Sequence, residues 1–276
     1  MPARLRPVAD APALLIEADP PRVGRTLVIA DVHLGLGATK ERPGGPPEGS
    51  GPRLAESLLS TVRAEAADRV VIAGDIKHPI VGTSPPLRPV VFEFFRLLLA
   101  SGLNVEVVLG NHDVGLERHL PREVVVRPAS GWRYDDVGVF HGHAWPSAAV
   151  LRAPTLVVGH LHPGFRLAPS PDDPTGKRRC WVRLELPPPP PRRGRRPRKH
   201  EIRSRELIVL PAFNPLAGTE ALNRQRPARG RSFLYGRFLS RGVSRAYLLD
   251  GTDLGPLTLP VPQPRGRSVR ATRPGS

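Results

Sequence analysis

Seven of the nine histidines in this 276-residue chain fall in or beside short polar clusters that also hold aspartate and asparagine. The clusters are Asp31 with His33, Asp75 with His78, Asn111-His112-Asp113, His141 with His143, and His160 with His162; only His119 and His200 lie elsewhere. Carboxylate, carboxamide and imidazole are metal-ligand types. None of the clusters contains cysteine, which excludes a structural zinc held by thiolates. The mixed oxygen and nitrogen donors suit Mn²⁺, Fe or Zn²⁺ in a catalytic setting.

Spacing adds to residue type. Asp31 and His33 stand at i and i+2, as do His160 and His162, so in an extended chain each pair projects to one side. Glycine precedes Asp75, Asn111 and His160. Without a side chain the backbone can turn sharply there and come close to whatever the cluster holds.

Each cluster closes an apolar run. The stretches TLVIADVH (26–33), RVVIAGD (69–75), VEVVLGNHD (105–113), VGVFHGH (137–143) and TLVVGHLH (155–162) share this shape. Runs of this kind read as strands buried on both faces. Helical patterns lie between them. In 53–67, Leu54, Leu58 and Val62 recur at i+4, and 89–102 opens on Pro89 and closes on Gly102, as a capped helix should. Alternating strands and helices predict an α/β domain. In an open α/β sheet the site lies at the carboxyl ends of the strands, so five strands would deliver their clusters to one edge. Beyond His162 the strand-like segments KRRCWVRLEL, RELIVLPAF and SRAYLLDG follow without long helices. They predict a second, more antiparallel sheet packed on the first.

Composition bounds the remainder. The formal net charge is +16, and two segments, Lys177 to Arg205 and Gln263 to Ser276, carry 14 of those charges. We read residues 1–262 as one domain with a Gly/Pro-rich loop at 40–52 and a basic Pro/Arg-rich insert at about 170–205, followed by a disordered basic tail at 263–276. Arginine and lysine can bind nucleic-acid backbone without reading sequence, so DNA or RNA is an expected partner of the basic segments; an exposed, solvated excursion is the plain alternative. Aromatic residues make up 5% of the chain, which argues against a base-stacking platform. The single cysteine, Cys180, excludes an internal disulfide and fits a reducing cytoplasm. No apolar run approaches the ~18 residues of a membrane span, and no signal peptide is evident.

The ordered set DVH (31–33), GD (74–75), GNHD (110–113), HGH (141–143) and GHLH (159–162) resembles the calcineurin-like metallophosphoesterase superfamily. D-x-H alone is common by chance; all five in order are specific. A narrower resemblance lies in GDIKH (74–78), GHLHP (159–163) and LPAFNPLAG (210–218), which look like archaeal SbcD-related phosphoesterases and bacterial DNA-ligase-associated metallophosphoesterases.

The resemblance implies a four-layer α+β sandwich of two packed mixed sheets flanked by helices. It also implies two divalent ions, Mn²⁺ first among them, with Asp31, His33, Asp75 and His162 on one and Asp75, Asn111, His141 and His160 on the other. A metal-bridging hydroxide would attack the phosphoester in line. His112 would face the substrate, oriented by Asp113. His78 is open between a contact to substrate phosphate, support of a ligand and the start of a turn before Pro79. His143 is a further candidate for substrate binding. Asn214 reads as a neutral cap of the turn before Pro215, and Arg118 and His119 as solvated. The function implied is phosphodiester hydrolysis, and the narrower resemblance adds a nuclease linked to DNA repair with helicase or ligase partners. A phosphomonoesterase, a cyclic-nucleotide phosphodiesterase and a catalytically idle metal-binding scaffold in a repair complex are the alternatives.

Overall fold

The computed structural model describes residues 3–18, 24–36, 50–169, 175–188, 202–223, 234, 238 and 243–257. Its strands in chain order are β1 (Arg4–Pro7), β2 (Leu14–Glu17), β3 (Arg25–Ile29), β4 (Arg69–Ile72), β5 (Asn104–Val108), β6 (Val125–Arg127), β7 (Trp132–Tyr134), β8 (Val137–Phe140), β9 (Thr155–Val158), β10 (Pro163–Arg166), β11 (Lys177–Glu185), β12 (Glu206–Val209), β13 (Glu220–Ala221), β14 (Val243–Leu248) and β15 (Asp253–Leu257). The α-helices are α1 (Gly51–Ala64), α2 (Leu87–Ala100) and the short α3 (Ala148–Leu151).

Strands β1 to β6 form one sheet in chain order, antiparallel from β1 to β3 and parallel from β3 to β6. The remaining strands form a second mixed sheet along β13-β10-β11-β12-β9-β8-β7, with β14 on β11 and β15 on β14. Side-chain alternation builds the layers. In β3, Leu27 and Ile29 join Leu54 and Leu58 of α1 and Phe94 and Phe95 of α2 in one core. The intervening Val28, with Ala30, joins Val139, Val157, Trp181 and Ile208 between the sheets. The outer face of the second sheet carries a third core, in which Leu156 and Val158 meet Val150 and Leu151 of α3, Leu234 and Phe238. Strands buried on both faces need apolar residues at every position, which explains the unbroken runs. The expected sandwich of two mixed sheets flanked by helices is the architecture found.

Helix α1 starts at Gly51, so the last two residues of the expected Gly/Pro-rich loop belong to it. Pro52 sits at its first turn, where a missing N–H costs nothing. Leu54, Ala55, Leu58 and Val62 are its buried stripe. Within the basic insert, Lys177–Glu185 is a strand, as KRRCWVRLEL predicts: it is β11, which pairs with β10, β12 and β14. The other parts of the basic stretch (170–174 and 189–201), loop residues 40–49 and the tail 263–276 lie outside the described residues.

The expected position of the second sheet needs correction. It begins at Trp132, not after His162, because β8 and β9 pair with each other and with β7 and β12. The clusters therefore come from two sheets, three on the ends of β3, β4 and β5 and two on the ends of β8 and β9. An apolar run records that both faces are buried; it does not record which sheet supplies the neighbour. Glu106, buried in β5, ties the sheets together. Its carboxylate accepts from Arg69 at 3.2 Å, from Arg127 at 2.7 Å and from the Tyr134 hydroxyl of β7 at 2.9 Å.

Candidate metal centre

The ends of β3 and β4 are laced together first. Asp31 N–H donates to the Gly74 carbonyl at 3.0 Å, His33 N–H to that of Asp75 at 2.9 Å and Leu34 N–H to that of Ile76 at 2.7 Å. Here the backbone leaves the extended region. Asp31, His33, Asp75, His160 and His162 have φ of 60°, 45°, 57°, 69° and 42°. Left-handed backbone is rare for residues bearing a Cβ and costs roughly 1–3 kcal/mol each where the surroundings enforce it. The i, i+2 pairs thus converge by a different route from the one expected, through left-handed turns and not through extended chain.

Three neighbours hold these turns. Asp113 is almost fully buried. Its carboxylate accepts the N–H groups of Gly110, Asp75 and Ile76, each at 2.8 Å. The expected role of Asp113, orienting the His112 ring, is not the one found. The Nδ1 of that ring meets the His78 carbonyl, and Asp113 instead ties the end of β5 to the turn after β4. Burial raises the Asp113 pKa, with its N–H donors working the other way. Second, the Asp31 carboxylate receives the His160 N–H at 3.1 Å, joining the two sheets. Third, Asn214 is fully buried. Its Nδ2 donates to the carbonyls of Val32 and His33 at 3.0 and 3.4 Å, and its Oδ1 accepts from Leu216 N–H at 2.9 Å. It caps the expected turn and also clamps the Asp31–His33 segment from 181 residues away in sequence.

Asn214→Ala would take the amide donor from the buried Val32 carbonyl and the acceptor from the Leu216 N–H, while the His33 carbonyl would keep the Leu36 N–H at 3.0 Å. We expect a stability loss of about 1–3 kcal/mol by chemical denaturation. We also expect metal affinity about 10- to 100-fold weaker by titration calorimetry, the usual effect of removing support behind a ligand.

Three groups of side chains could hold an ion among the described residues: His33 with His78 and His112, and two sets that include carboxylates. Asp31, His33, Asp75 and His162 can bring one donor atom each within 4.8 Å of the others, and so can Asp75, His141 and His160. Asp75 belongs to both. Asn111 reaches the second set, its Oδ1 3.2 Å from His141 Nε2. His141 is fully buried; its Nδ1–H donates to the Ala73 carbonyl at 2.8 Å, leaving Nε2 at 3.2 Å from Asp75 Oδ1. His162 repeats the pattern, with Nδ1–H on the Gly218 carbonyl at 3.0 Å and Nε2 at 3.3 Å from Asp31 Oδ1. A carbonyl on Nδ1 fixes the tautomer that offers Nε2 as a ligand. The Nε2 atoms of His33 and His162 face each other at 3.1 Å, and His33 Nδ1 is buried with no hydrogen-bond partner among the described residues. This donor set fits divalent cations.

Electrostatics agree. Burial pulls the His33 imidazole down to about 4. Burial and then the charge of His141 do the same to His160, also to about 4. Both are therefore neutral, as ligands must be. Burial lowers His141 too, but its hydrogen bond to Asp75 and the charges of Asp75 and Asp31 outweigh that and hold it at about 9. Burial would raise Asp75; the His141 hydrogen bond and charge and the His112 N–H overcome this and keep its carboxyl well below the usual range.

His112 stands at the edge of the first set, Nε2 3.7 Å from Asp75 Oδ2, and its ring stacks at 5.9 Å on the exposed His78. His143 lies 5.4 Å from the His141 ring, beside the second set. Arg118 and His119 belong to a 3-10 turn, Leu116–His119, outside both sets. His200 lies outside the described residues.

The family profile for calcineurin-like phosphoesterases matches residues 24–247, which span both donor sets. The chain belongs to the calcineurin-like phosphoesterase family. It is accordingly a metal-dependent phosphoesterase, and its family implies divalent ions at these candidate ligands. No curated protein matches the chain in sequence. Among solved structures, a nuclease MPE from Pseudomonas putida is similar over 91% of this chain and all of its own, with a TM-score of 0.51 and 19% identity, which supports the fold of this phosphoesterase. YfcE, a phosphoesterase from E. coli, is similar over 85% of this chain and 99% of its own, with a TM-score of 0.36 and 14% identity.

Two residues that matter in this phosphoesterase lie inside the motifs GDIKH and LPAFNPLAG, but nothing local in the sequence signals their duties. Lys77 is fully buried beside the site, yet a lone lysine between Ile76 and His78 reads as surface. The clamping by Asn214 depends on a contact across two sheets that no local pattern encodes.

Proposed function

We propose that the chain is a binuclear phosphodiesterase, with Asp31, His33, Asp75 and His162 around one ion and Asp75, Asn111, His141 and His160 around the other. The observation that carries this reading is the shared Asp75, the one carboxylate common to both donor sets. Two divalent ions held by these residues would supply a nucleophile at neutral pH and clamp a phosphoryl group for in-line displacement. Asp75 holds the two sets in register, and its own place is fixed by Asp113. Hydrogen bonds from Nδ1 fix His141 and His162 with Nε2 inward. His112, anchored through Nδ1 on the His78 carbonyl, keeps Nε2 for the substrate, where it can protonate the leaving oxygen. His78 flanks the same position, and His143 is placed to contact substrate beside the second set.

The carboxylate, carboxamide and imidazole donors favour Mn²⁺, with Fe or Zn²⁺ as competitors. Polynucleotide is the substrate class we favour. The chain shares a fold with the P. putida nuclease, and a basic segment begins at Lys177.

The test is a panel on protein reconstituted with Mn²⁺, Fe²⁺ or Zn²⁺. It covers bis(p-nitrophenyl) phosphate, p-nitrophenyl phosphate, a cyclic nucleotide, single- and double-stranded DNA, and RNA. We expect Mn²⁺-dependent turnover of diesters, including polynucleotide. Preference for the monoester would replace the diesterase reading. Stoichiometric metal binding with no turnover under any metal would make the protein a scaffold.

A further inference from the structure

We propose that Lys77 is a positioning residue, which fixes the substrate-facing His112 by holding the turn that presents the His78 carbonyl. This rests on the role of His112 given above.

Lys77 is the largest fully buried side chain among the described residues. A cation removed from water is costly unless its donors are satisfied. Here the ammonium donates to two carbonyls of its own turn, Pro79 at 2.6 Å and Ile80 at 3.2 Å. Burial lowers its pKa, and the nearby charges of Asp113 and Asp75 counter only part of that. The side chain therefore curls back on residues 77–80 and draws them into a closed turn. The near side of that turn is pinned by His78 N–H on the Leu34 carbonyl at 2.9 Å and by the bridge between Lys77 and Leu34. Among the described residues the far side has little else to hold it. Ile80 is 54% and Val81 88% exposed, and the His78 ring itself lies at the surface.

Between these two anchors lies the His78 carbonyl, which accepts from His112 Nδ1. That contact sets both the tautomer of His112 and the direction of its Nε2, which stands 3.7 Å from Asp75 Oδ2. An apolar side chain at position 77 could fill the same space. It could not bond the Pro79 and Ile80 carbonyls, and the turn would lose its closure. His112 would keep its place in the chain but lose its fixed orientation.

A residue acting through the orientation of a proton donor should matter most when the leaving group needs its proton. The experiment uses the Mn²⁺-loaded full chain and compares Lys77→Met, Lys77→Arg, His112→Ala and the double variant Lys77→Met/His112→Ala. Each is assayed on two diesters, one with a p-nitrophenolate leaving group and one with an alkoxide leaving group. We expect Lys77→Met to lose about 10- to 100-fold in kcat on the alkoxide diester. KM and metal content should stay near the wild-type values, and the loss on the p-nitrophenyl diester should be less than about 3-fold, small beside the effect of an absent general acid. The double variant should be no slower than His112→Ala alone. Lys77→Arg, which keeps a buried cation with donors, should restore the wild-type ratio between the two substrates. If Lys77→Met yields no folded protein, Lys77→Leu, which also lacks donors, is read in the same way.

Equal losses on both diesters, or losses that add to those of His112→Ala, would overturn the proposal and leave Lys77 a stabilising residue only. A His112→Ala variant showing no dependence on the leaving group would overturn the role of His112 itself, and this proposal with it. The first failure leaves His112 standing and the second does not, so the two are told apart.

Discussion

Asp75→Asn should reduce kcat/KM on any phosphodiester by at least about 10³-fold, equivalent to about 4 kcal/mol of transition-state stabilisation. The volume of the side chain hardly changes, so packing cannot explain a loss of that size. What changes is charge. Among the described residues Asp75 is the carboxylate common to both donor sets, and an amide offers one neutral oxygen where a carboxylate offers two anionic ones. Mass spectrometry under native conditions should find fewer than two ions in the variant where the wild type holds two. Full metal content together with full activity would remove Asp75 from the centre.

The same substitution has a signature without metal. In the metal-free protein His141 titrates at about 9, above its ordinary 6.5. Its contribution to stability is therefore complete below pH ~6.5 and is lost as pH rises through about 9. Asp75 is shifted the other way, so its contribution is present at neutral pH and is lost only in acid. In chelator, the wild-type melting temperature should fall between pH 7 and 10. That of Asp75→Asn should fall less, because its His141 has lost the carboxylate that held the proton. Ion binding at pH 7 should also release a proton from His141, visible as a buffer-dependent heat in calorimetry.

How much of this was legible depends on what each feature requires. The strand runs are local: burial on both faces demands apolar residues in sequence, and five such runs each ended on the polar cluster that the fold brings to the centre. Helices α1 and α2 were visible for the same reason, to within three residues at each end. Three things were not legible. The split of the clusters between two sheets depends on pairing partners, and Val137–Phe140 would look the same in either sheet. The left-handed turns at Asp31, His33, Asp75, His160 and His162 are imposed by tertiary hydrogen bonds against the residues' own preference, so propensity points the wrong way. The duty of Asp113 was misread because adjacency in GNHD suggested a side-chain pair. Its three N–H donors instead come from Gly110 beside it and from Asp75 and Ile76 about 38 residues earlier.

The glycines of the strand ends were read as places of close approach, and Gly110 gives that idea its sharpest form. Gly110→Ala should disable the centre although no ligand is altered. A Cβ there would stand 2.2 Å from Asp75 Oδ1 and 2.3 Å from the Asp75 nitrogen. Neither distance is tolerable. The nitrogen belongs to backbone pinned by Asp113, so it cannot step aside as a flexible side chain would. Either the end of β4 moves, and the shared carboxylate with it, or the end of β5 moves and takes Asn111 and His112 along. Overpacking of this kind costs about 1–3 kcal/mol, which a domain of this size can survive. A displacement near 1 Å at reacting groups costs about 10²-fold in rate. We therefore expect a folded protein whose melting temperature is modestly lower and whose Mn²⁺-dependent diesterase activity is down by at least about 10²-fold. Gly218→Ala is the matched control. Gly218 also borders the site, since its carbonyl accepts from His162 Nδ1, but an added methyl there meets nothing within 4 Å among the described residues. That variant should keep both its stability and its rate. Similar losses in the two would mean that glycine flexibility, and not the clearance between β4 and β5, is what the centre needs.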